Sequence, residues 1–300
     1  MIVYHSLTEY AADGRKMALT IGKFDGLHTG HMLLIEKVKE YAGRHHTGTC
    51  MLAIDSKPPH LLTKEERRRA AERAGIDCLI ECPFSKKFMT LTPDLFARRV
   101  LKEILCTRYI AVGDDFRFGY NRQGDADWLL ENGAAYGFTA EKVKKKVIGG
   151  EAVSSTRIRS VLSEGRMEEV KLLLGRPFPV SGTIIHGAHL GSTQLNYPTI
   201  NMAIDQDKLT PPYGVYASYT RLRDGRLIPG VTNVGVKPTV GGRVPLAETN
   251  LFGIDEDLYG QEAETYLEHF IRPEIKFSSV DELKSQISLD TRKAANLLDA

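Results

Sequence analysis

The stretch that organises this chain spans residues 20–31 and reads Thr-Ile-Gly-Lys-Phe-Asp-Gly-Leu-His-Thr-Gly-His. The apolar run before it, Met17–Ile21, predicts a buried parallel strand, and the residues after it have helical periodicity. The glycines Gly22, Gly26 and Gly30 permit backbone angles and close approaches that a β-carbon would forbid. A helix that begins beyond such a turn offers unpaired N–H groups and the positive end of its dipole. The stretch therefore predicts a phosphate-binding turn between a strand and a helix.

Two histidines lie in this turn. His28 and His31 are three residues apart, so on a first helical turn they face the same side. Histidines beside a phosphate can donate hydrogen bonds and offset the charge that develops when phosphorus is attacked. The alternative interpretation is a tight strand-to-helix turn with two surface histidines.

The ordered set G-x-F-D-G-x-H-x-G-H resembles the HxGH nucleotidyltransferases, and more narrowly the bacterial FAD synthetases. These enzymes transfer a nucleotidyl group from ATP. The resemblance implies catalytic roles for His28 and His31. It also implies an ATP-binding role for the other motif residues, which are Gly22, Phe24, Asp25, Gly26 and Gly30.

Composition limits the possible classes of protein. A chain of 300 residues with 42% apolar residues has room for two domains, each with its own core. The formal net charge of +2 argues against nucleic acid or an anionic membrane surface as partner. The four cysteines are expected to be buried free thiols. No signal peptide is recognisable, and no apolar run approaches the roughly 20 residues that span a bilayer, so a cytoplasmic location is expected.

The order of predicted elements indicates two domains. Strands alternate with helices through the first half, which predicts a doubly wound, Rossmann-like α/β domain over residues 1–180 with ligands at the carboxyl ends of its strands. Beyond Gly175-Arg176-Pro177, short strands follow one another without intervening helices. Residues 181–300 are therefore predicted to form a small antiparallel β-barrel with a C-terminal helix.

A second motif, Val112-Gly113-Asp114-Asp115-Phe116-Arg117-Phe118-Gly119, begins at a predicted strand end. Its aromatic, basic and acidic side chains could stack on a planar ring and hold a phosphate. The alternative is an ordinary turn whose aromatics pack in the core. The motif resembles the V-G-x-D-F-R-F-G segment of bacterial FAD synthetases, which implies a flavin or nucleotide loop built from Gly113, Asp115, Phe116, Arg117 and Phe118.

A third motif, Ser154-Ser155-Thr156-Arg157-Ile158-Arg159, precedes a short predicted helix. Hydroxyls at a helix start followed by two arginines make an anion site. A simple N-cap with exposed arginines is the alternative. The motif resembles the S-S-T-x-I-R signature that holds the ATP phosphates in this superfamily, which implies that Ser154, Ser155, Thr156, Arg157 and Arg159 bind phosphate.

The second half of the chain resembles the riboflavin kinase module. Residues 197–201 are similar to the family's F-P-T-A-N, which implies that Thr199 and Asn201 hold magnesium and nucleotide phosphates. In the loop before them, Gly187 and Gly191 are implied ATP-binding residues. Glu248 falls where the family has its general base, which would accept the proton of a ribityl hydroxyl. A cross-strand surface glutamate is the alternative for Glu248.

Three segments depart from the family pattern. The loop before residues 197–201 contains an apparent insertion and the residues Ser192, Gln194 and Asn196, with Ser192 replacing an arginine and Asn196 a glycine. Asn250 stands where E-x-H is usual. In the first domain, residues 54–60 only loosely match the family's phenylalanine-aspartate-proline-histidine-proline stretch. The loss of a guanidinium removes a charge-assisted contact to phosphate. These changes therefore bear more on the predicted kinase activity than on the predicted adenylyl transfer.

The resemblance implies a bifunctional riboflavin kinase and FAD synthetase with magnesium, ATP, riboflavin, FMN and FAD as its metal, substrates and products. The barrel would phosphorylate riboflavin to FMN, and the α/β domain would transfer AMP from ATP to FMN and release pyrophosphate. One alternative is a monofunctional FAD synthetase with a degenerate, flavin-binding kinase module. Others are a non-catalytic flavin-binding regulator of RNA, and an adenylyltransferase for nicotinamide mononucleotide or phosphopantetheine.

Overall fold

A computed structural model describes residues 1–10, 14–83, 90–186, 199–239 and 242–299. The chain divides into two compact units, which are Met1–Pro58 with Lys64–Ser154, and Pro59–Thr63 with Ser155–Ala300. The two units follow spatial contacts between residues and do not test where along the sequence one domain ends, so the boundary near residue 180 stays a prediction. Among the described residues, no helix combines the length and hydrophobicity needed to span a bilayer.

The first unit contains a six-stranded parallel sheet. Its strands are β1 (Ile2–Tyr4), β2 (Met17–Gly22), β3 (Gly48–Ile54), β4 (Cys78–Cys82), β5 (Thr107–Gly113) and β8 (Thr139–Val143), in the order β1-β4-β3-β2-β5-β8. Short strands β6 (Arg117–Phe118) with β7 (Gly124–Asp125), and β9 (Val147–Ile148) with β10 (Glu151–Ala152), form two antiparallel pairs. The strand order reverses between β2 and β5. Ligands collect at such a switch point in open α/β sheets.

Helices connect these strands. They are α1 (Thr29–His45), α2 (Lys64–Arg73), α3 (Pro93–Leu95), a π-helix (Phe96–Ile104) and α4 (Ala126–Tyr136). Helix α1 packs against β2, β3 and β5. The sequence predicts a single helix from Thr92 to about Leu105, whereas the structure has a short α-helical turn that continues as a π-helix. The amide of Leu105 donates to the carbonyl of Val100, five residues back, which is the π-helical pattern.

A buried carboxylate near the carboxyl edge of this sheet forms ion pairs with two arginines. The carboxylate of Glu81 on β4 is 2% exposed and accepts hydrogen bonds from Arg67 at 3.0 Å and Arg68 at 2.6 Å. Burial alone would raise the pKa of Glu81, but the bonds from Arg68 and Arg67 lower it below its usual value. Next to it on β4, burial raises the pKa of the Cys82 thiol to about 11, so this thiol stays protonated at neutral pH. All four cysteines are free thiols, as predicted, and Cys50, Cys78 and Cys82 are buried. The expectation of burial is wrong for Cys106, which is half-buried at the turn before β5.

The second unit contains a curled antiparallel sheet. Its strands are β11 (Phe178–Thr183), β12 (Thr199–Ala203), β13 (Gly214–Arg221), β14 (Leu227–Thr239), β15 (Gly242–Leu251) and β16 (Glu262–Pro273), in the order β11-β16-β13-β14-β15-β12. Beyond β11, the amide of Ile185 donates to the carbonyl of Asn201 on β12 at 2.8 Å. The two edge strands thus approach each other, as curling toward a barrel requires.

The described part of the second unit also contains three helices. They are α5 (Ser155–Ser163), α6 (Met167–Leu174) and α7 (Val280–Leu298). Helix α6 packs on β11 and β16, and its Lys171 pairs with the mostly buried Glu268 at 2.7 Å. Helix α7, the predicted C-terminal helix, packs on β13, β14 and β16. The coarse fold prediction, an α/β part with a parallel sheet followed by an antiparallel β part, is confirmed.

A short segment from the first half of the sequence is built into the second unit. The amide of His60 donates to the carbonyl of Asp207 at 2.7 Å, and the amide of Leu209 donates to the carbonyl of His60 at 2.6 Å. The ammonium of Lys208, 3% exposed, donates to the carbonyl of Leu61 at 3.1 Å and lies 4.5 Å from the Phe178 ring centroid. Residues 59–63 therefore contribute to the packing of the second unit.

Candidate active sites

The turn after β2 has an unusual backbone. Phe24, Gly26 and Leu27 have positive φ angles of 49°, 83° and 39°. Phe24 is fully buried, and its ring lies under Gly22, where an added Cβ would stand 3.4 Å from the ring. Positive φ costs free energy for residues with a side chain and persists only where the surroundings enforce it. The packing of Phe24 thus holds the turn in a shape that places the next residues at the start of α1.

His28 and His31 cap helix α1 reciprocally. The amide of His31 donates to Nδ1 of His28 at 3.3 Å, and the amide of His28 donates to Nδ1 of His31 at 3.3 Å. The two rings stack with centroids 3.6 Å apart and an interplanar angle of 16°. His28 is only 7% exposed, which excludes the interpretation of two surface histidines. The sequence prediction that the pair shares one side of the helix is confirmed.

This capping fixes the histidine tautomers. A ring nitrogen that accepts a hydrogen bond carries no proton, so each neutral imidazole has its proton on Nε2. Both histidines therefore present an N–H donor from Nε2, as a site for phosphate oxygens needs. The edge of Phe24 packs against His31 with ring centroids 5.2 Å apart, which further fixes the orientation of that ring.

Gly30 makes the histidine arrangement possible. A Cβ built on Gly30 would stand 3.1 Å from both Cε1 and Nδ1 of His28 and 3.9 Å from the carbonyl oxygen of Val153. The missing side chain lets the His28 ring fold back over the helix start. Val153, the residue before the Ser154 motif, thus lies beside the histidine turn.

The second motif emerges at the same sheet edge. Strands β2 and β5 are parallel neighbours that end at Gly22 and Gly113, so both loops leave the carboxyl edge at the switch point. A Cβ on Gly113 would stand 3.3 Å from the Asp115 carboxylate, which pairs with Lys145 at 2.8 Å. Asp25 in the first turn is half-buried.

The aromatics of the second motif have different surroundings. Phe118 is 8% exposed and packs among Phe96, Phe116 and Trp128, with ring centroids 5.2 to 5.6 Å away. Phe116 is half-buried, and Arg117 is exposed with its guanidinium donating to the Phe116 carbonyl at 2.9 Å. Phe118 thus anchors the loop, while Phe116 and Arg117 are the members closer to solvent. The flavin or nucleotide role of this loop stays a prediction.

The third motif begins helix α5 in the second unit. Thr156 is exposed, and Ser155, Arg157 and Arg159 are half-buried. The guanidinium of Arg157 donates to Glu169 on α6 at 2.9 Å. This ion pair is a competing partner for any phosphate at Arg157, and nothing in the sequence indicated it. Phosphate binding by Ser154 and the other motif residues stays a prediction.

The kinase-like residues form a row across three strands. Asn201 on β12 lies directly opposite Glu248 on β15, which lies directly opposite Asn233 on β14. Opposite residues in antiparallel strands share a face, so these three side chains are neighbours. The hydroxyl of Thr199 donates to Glu248 Oε1 at 3.2 Å. The structure therefore brings together the predicted base and both predicted metal ligands.

Asn201 is the least satisfied member of this row. It is 1% exposed, and among the described residues neither its amide oxygen nor its amide nitrogen has a hydrogen-bond partner. A buried unpaired amide costs about 1 to 3 kcal/mol, so such a group is typical of a site completed by a ligand. Neutral oxygen donors on Thr199 and Asn201 suit a hard cation such as Mg²⁺.

A small cavity of about 40 Å³ adjoins the row. It is lined by Asn233, Gly235, Val236, Leu246, Glu248 and Glu274. Sequence reasoning gave no role to Asn233, Gly235 or Glu274, although each lies in a segment that resembles the riboflavin kinase module. Asn250 pairs with Thr199 across β12 and β15. Gly187, Gly191 and the substituted positions Ser192, Gln194 and Asn196 lie outside the described residues.

Comparisons with known proteins cover both halves of the chain. The family model described as FAD synthetase matches residues 11–157, and that described as riboflavin kinase matches residues 174–298. A Haemophilus influenzae protein named bifunctional riboflavin kinase/FMN adenylyltransferase is 34% identical over 287 residues, which cover 92% of this chain and 92% of the relative. The protein of that name from Escherichia coli K12 is 34% identical over 296 residues, covering 95% and 93%.

A solved structure from Streptococcus pneumoniae, named macrolide-efflux protein, has a TM-score of 0.83 and 27% identity, and covers 97% of this chain and 98% of its own. The two family models, matched one after the other along the chain, define a nucleotide-dependent transferase with two activities. More narrowly, the chain belongs to the bifunctional riboflavin kinase/FMN adenylyltransferase family.

Proposed function

We propose that this protein makes FAD from riboflavin in two steps, each of which consumes one ATP. The second unit phosphorylates riboflavin to FMN, and the histidine turn of the first unit serves the transfer of AMP from ATP to FMN. The observation that carries the proposal is that each reaction has its own preassembled set of side chains. These are the reciprocally capped histidines for adenylyl transfer and the Asn201–Glu248–Asn233 row for phosphoryl transfer.

In adenylyl transfer, a phosphate oxygen of FMN attacks the α-phosphorus of ATP, and pyrophosphate leaves from the opposite side. Nε2–H donors of His28 and His31 stabilise the negative charge that develops on the α-phosphate oxygens. Because Nδ1 of each ring is held by a backbone amide, the donors need no reorganisation as the reaction proceeds. The remaining residues of this turn hold the nucleotide close to the backbone N–H groups at the start of α1.

Two further assignments complete this site in the proposal. The first unit has a doubly wound, Rossmann-like arrangement in which the loop at Gly113 contacts flavin or nucleotide, with Phe116 and Arg117 as its accessible members. The Ser154–Arg159 motif is assigned to phosphate binding, as its resemblance to the superfamily signature implies.

In phosphoryl transfer, the terminal ribityl hydroxyl of riboflavin attacks the γ-phosphorus of ATP and ADP leaves. Glu248 accepts the hydroxyl proton as the oxygen–phosphorus bond forms. The hydrogen bond from Thr199 orients the Glu248 carboxylate before substrate binds. Asn233, on the neighbouring strand, lines the same cavity and is available to a substrate hydroxyl.

Magnesium fits the Thr199 and Asn201 side chains. Within the described part of the chain, no group of three or more His, Cys, Asp or Glu residues could hold a metal ion. Thr199 Oγ1 and Asn201 Oδ1, both neutral oxygen donors, would hold the ion. When bound, Mg²⁺ neutralises charge on the transferring phosphates.

The proposal is tested by giving the purified protein Mg²⁺ and ATP with riboflavin in one reaction and FMN in another, followed by chromatographic separation of the flavins. The proposal expects FMN and FAD from riboflavin, and FAD from FMN. Conversion of FMN alone would support a monofunctional FAD synthetase with a degenerate kinase module. Conversion of neither flavin would contradict both enzymatic assignments.

A further inference from the structure

The cavity beside Glu248 contains a second carboxylate, that of Glu274, directly after β16. This side chain lies against Gly235 on β14, so closely that a Cβ built on Gly235 would overlap the Glu274 carboxylate. The same Cβ would stand 3.4 Å from the amide nitrogen of Asn233. The missing side chain at Gly235 thus admits Glu274 to the cavity and brings it beside Asn233.

The backbone that carries Glu274 is held firmly. Arg272, two residues earlier, makes a bidentate ion pair with Asp290 on α7, with its Nε 3.0 Å from both carboxylate oxygens and its Nη2 2.6 Å from one of them. Asp290 is 4% exposed. Bidentate pairs of this kind fix geometry as well as charge. The Glu274 carboxylate is therefore presented from a fixed strand end, although its own side chain is exposed.

The chemistry and size of the cavity indicate which part of a flavin it takes. Two carboxylates and one amide offer acceptors for hydroxyl donors, and Val236 and Leu246 form an apolar wall. The cavity volume of about 40 Å³ is far below the roughly 300–1,000 Å³ of pockets that enclose a whole small molecule, so the cavity can take only part of a ligand. The cavity suits a flexible polyhydroxyl chain better than a planar three-ring system.

We propose that Glu274 binds the ribityl chain of riboflavin. Its carboxylate accepts hydrogen bonds from the ribityl hydroxyls and holds the chain with its terminal hydroxyl facing Glu248. This inference rests on the proposed kinase function and assigns the two carboxylates different tasks. Glu248 takes the proton in the transition state, whereas Glu274 holds the chain in the ground state and the transition state alike. Loss of Glu274 therefore raises KM for riboflavin, and loss of Glu248 lowers kcat.

The test uses the full-length chain and steady-state FMN formation. The variant E274A should raise KM for riboflavin roughly tenfold, the effect of one charge-assisted hydrogen bond, with little change in kcat or in KM for ATP. E274Q should recover part of the affinity, because its amide oxygen still accepts a hydrogen bond. G235A should resemble E274A, because the new Cβ displaces the carboxylate. Formation of FAD from FMN should be unchanged in all three variants, which controls for folding.

A binding measurement separates this inference from the proposed function. Quenching of flavin fluorescence without ATP gives the affinity for riboflavin and for lumiflavin, which has a methyl group in place of the ribityl chain. E274A should lower the affinity for riboflavin and leave the affinity for lumiflavin unchanged. This result is expected even if the wild-type protein makes no FMN and the kinase assignment fails. Equal riboflavin affinity in E274A and wild type, or an equal loss for lumiflavin, would overturn the role of Glu274.

Discussion

Replacement of Gly30 by alanine should slow FAD formation far more than it changes stability. A Cβ at this position would stand 3.1 Å from two atoms of the His28 ring, whereas carbon atoms in contact prefer about 3.5 to 4.0 Å. The ring must therefore move by roughly half an ångström. Its Nδ1 is already 3.3 Å from the His31 amide, near the limit of a hydrogen bond, so the displacement breaks the cap.

The consequences for stability and rate differ in size. Loss of one helix cap destabilises the protein by about 1 kcal/mol. Alanine in place of glycine in a helix stabilises it by up to about 1 kcal/mol, so the free energy of unfolding should barely change. A misplaced His28 removes a preorganised donor to the transition state, which costs about 100-fold in rate. The expected result is a folded protein with kcat/KM for FMN lowered about 100-fold.

The assay measures FAD formed from FMN and ATP by G30A, G43A and wild type. Gly43 lies in the same helix, and a Cβ there meets nothing within 4 Å, so G43A is the matched control. G43A should keep full activity and gain up to about 1 kcal/mol in urea unfolding. FMN formation from riboflavin should be normal in both variants. G30A activity within about twofold of G43A would refute the proposed role of the His28 cap.

Further predictions concern the other described features. K208M should lower the free energy of unfolding by about 1 to 3 kcal/mol in urea titrations, since it removes the buried hydrogen bond that the Lys208 ammonium donates to the Leu61 carbonyl. K284M, on the exposed surface of the C-terminal helix, should be neutral, and equal effects of the two substitutions would contradict the buried role of Lys208. E81Q should destabilise the protein by about 3 kcal/mol at pH 7, because two arginines lose their buried partner. Because folding lowers the pKa of Glu81, the stabilisation that this carboxylate gives is present above the usual pKa of 4.5 and is lost as the pH falls through the lowered value. A difference in the free energy of unfolding between wild type and E81Q that persists in acid would be inconsistent with this account. E248Q should reduce kcat for FMN formation about 100-fold or more with KM for riboflavin nearly unchanged, and an unaltered kcat would exclude Glu248 as the base.

Much of the first site could be predicted because its residues are adjacent in sequence. The turn, the start of α1 and the shared side of His28 and His31 follow from spacing alone. Their reciprocal cap could not be predicted, because histidine is not among the usual N-cap residues and the bond depends on the backbone of Gly30. The ion pair between Arg157 and Glu169 joins two helices, and no periodicity in either one signals it.

The second site shows where sequence reasoning ends. The sequence predicts no strand at Thr199–Ala203, because five residues between turn-rich segments carry little periodic signal. Its register against β15 is what places Asn201 beside Glu248. Glu274 and Gly235 are far apart in the sequence. The Glu274 carboxylate reaches the cavity only because the end of β16 lies over Gly235 of β14. Motifs thus indicated which residues matter, while tertiary pairing determined which of them meet.

The most direct test of the two-step account follows each phosphate of ATP separately, with riboflavin as the only added flavin. ATP labelled at the γ-phosphate should label both FMN and FAD, because the phosphate that the kinase transfers stays on the flavin. ATP labelled at the α-phosphate should label FAD and leave FMN unlabelled, because only the adenylyl group carries that atom. Absence of γ-label from FMN, or of α-label from FAD, would contradict the claim that this chain performs both transfers.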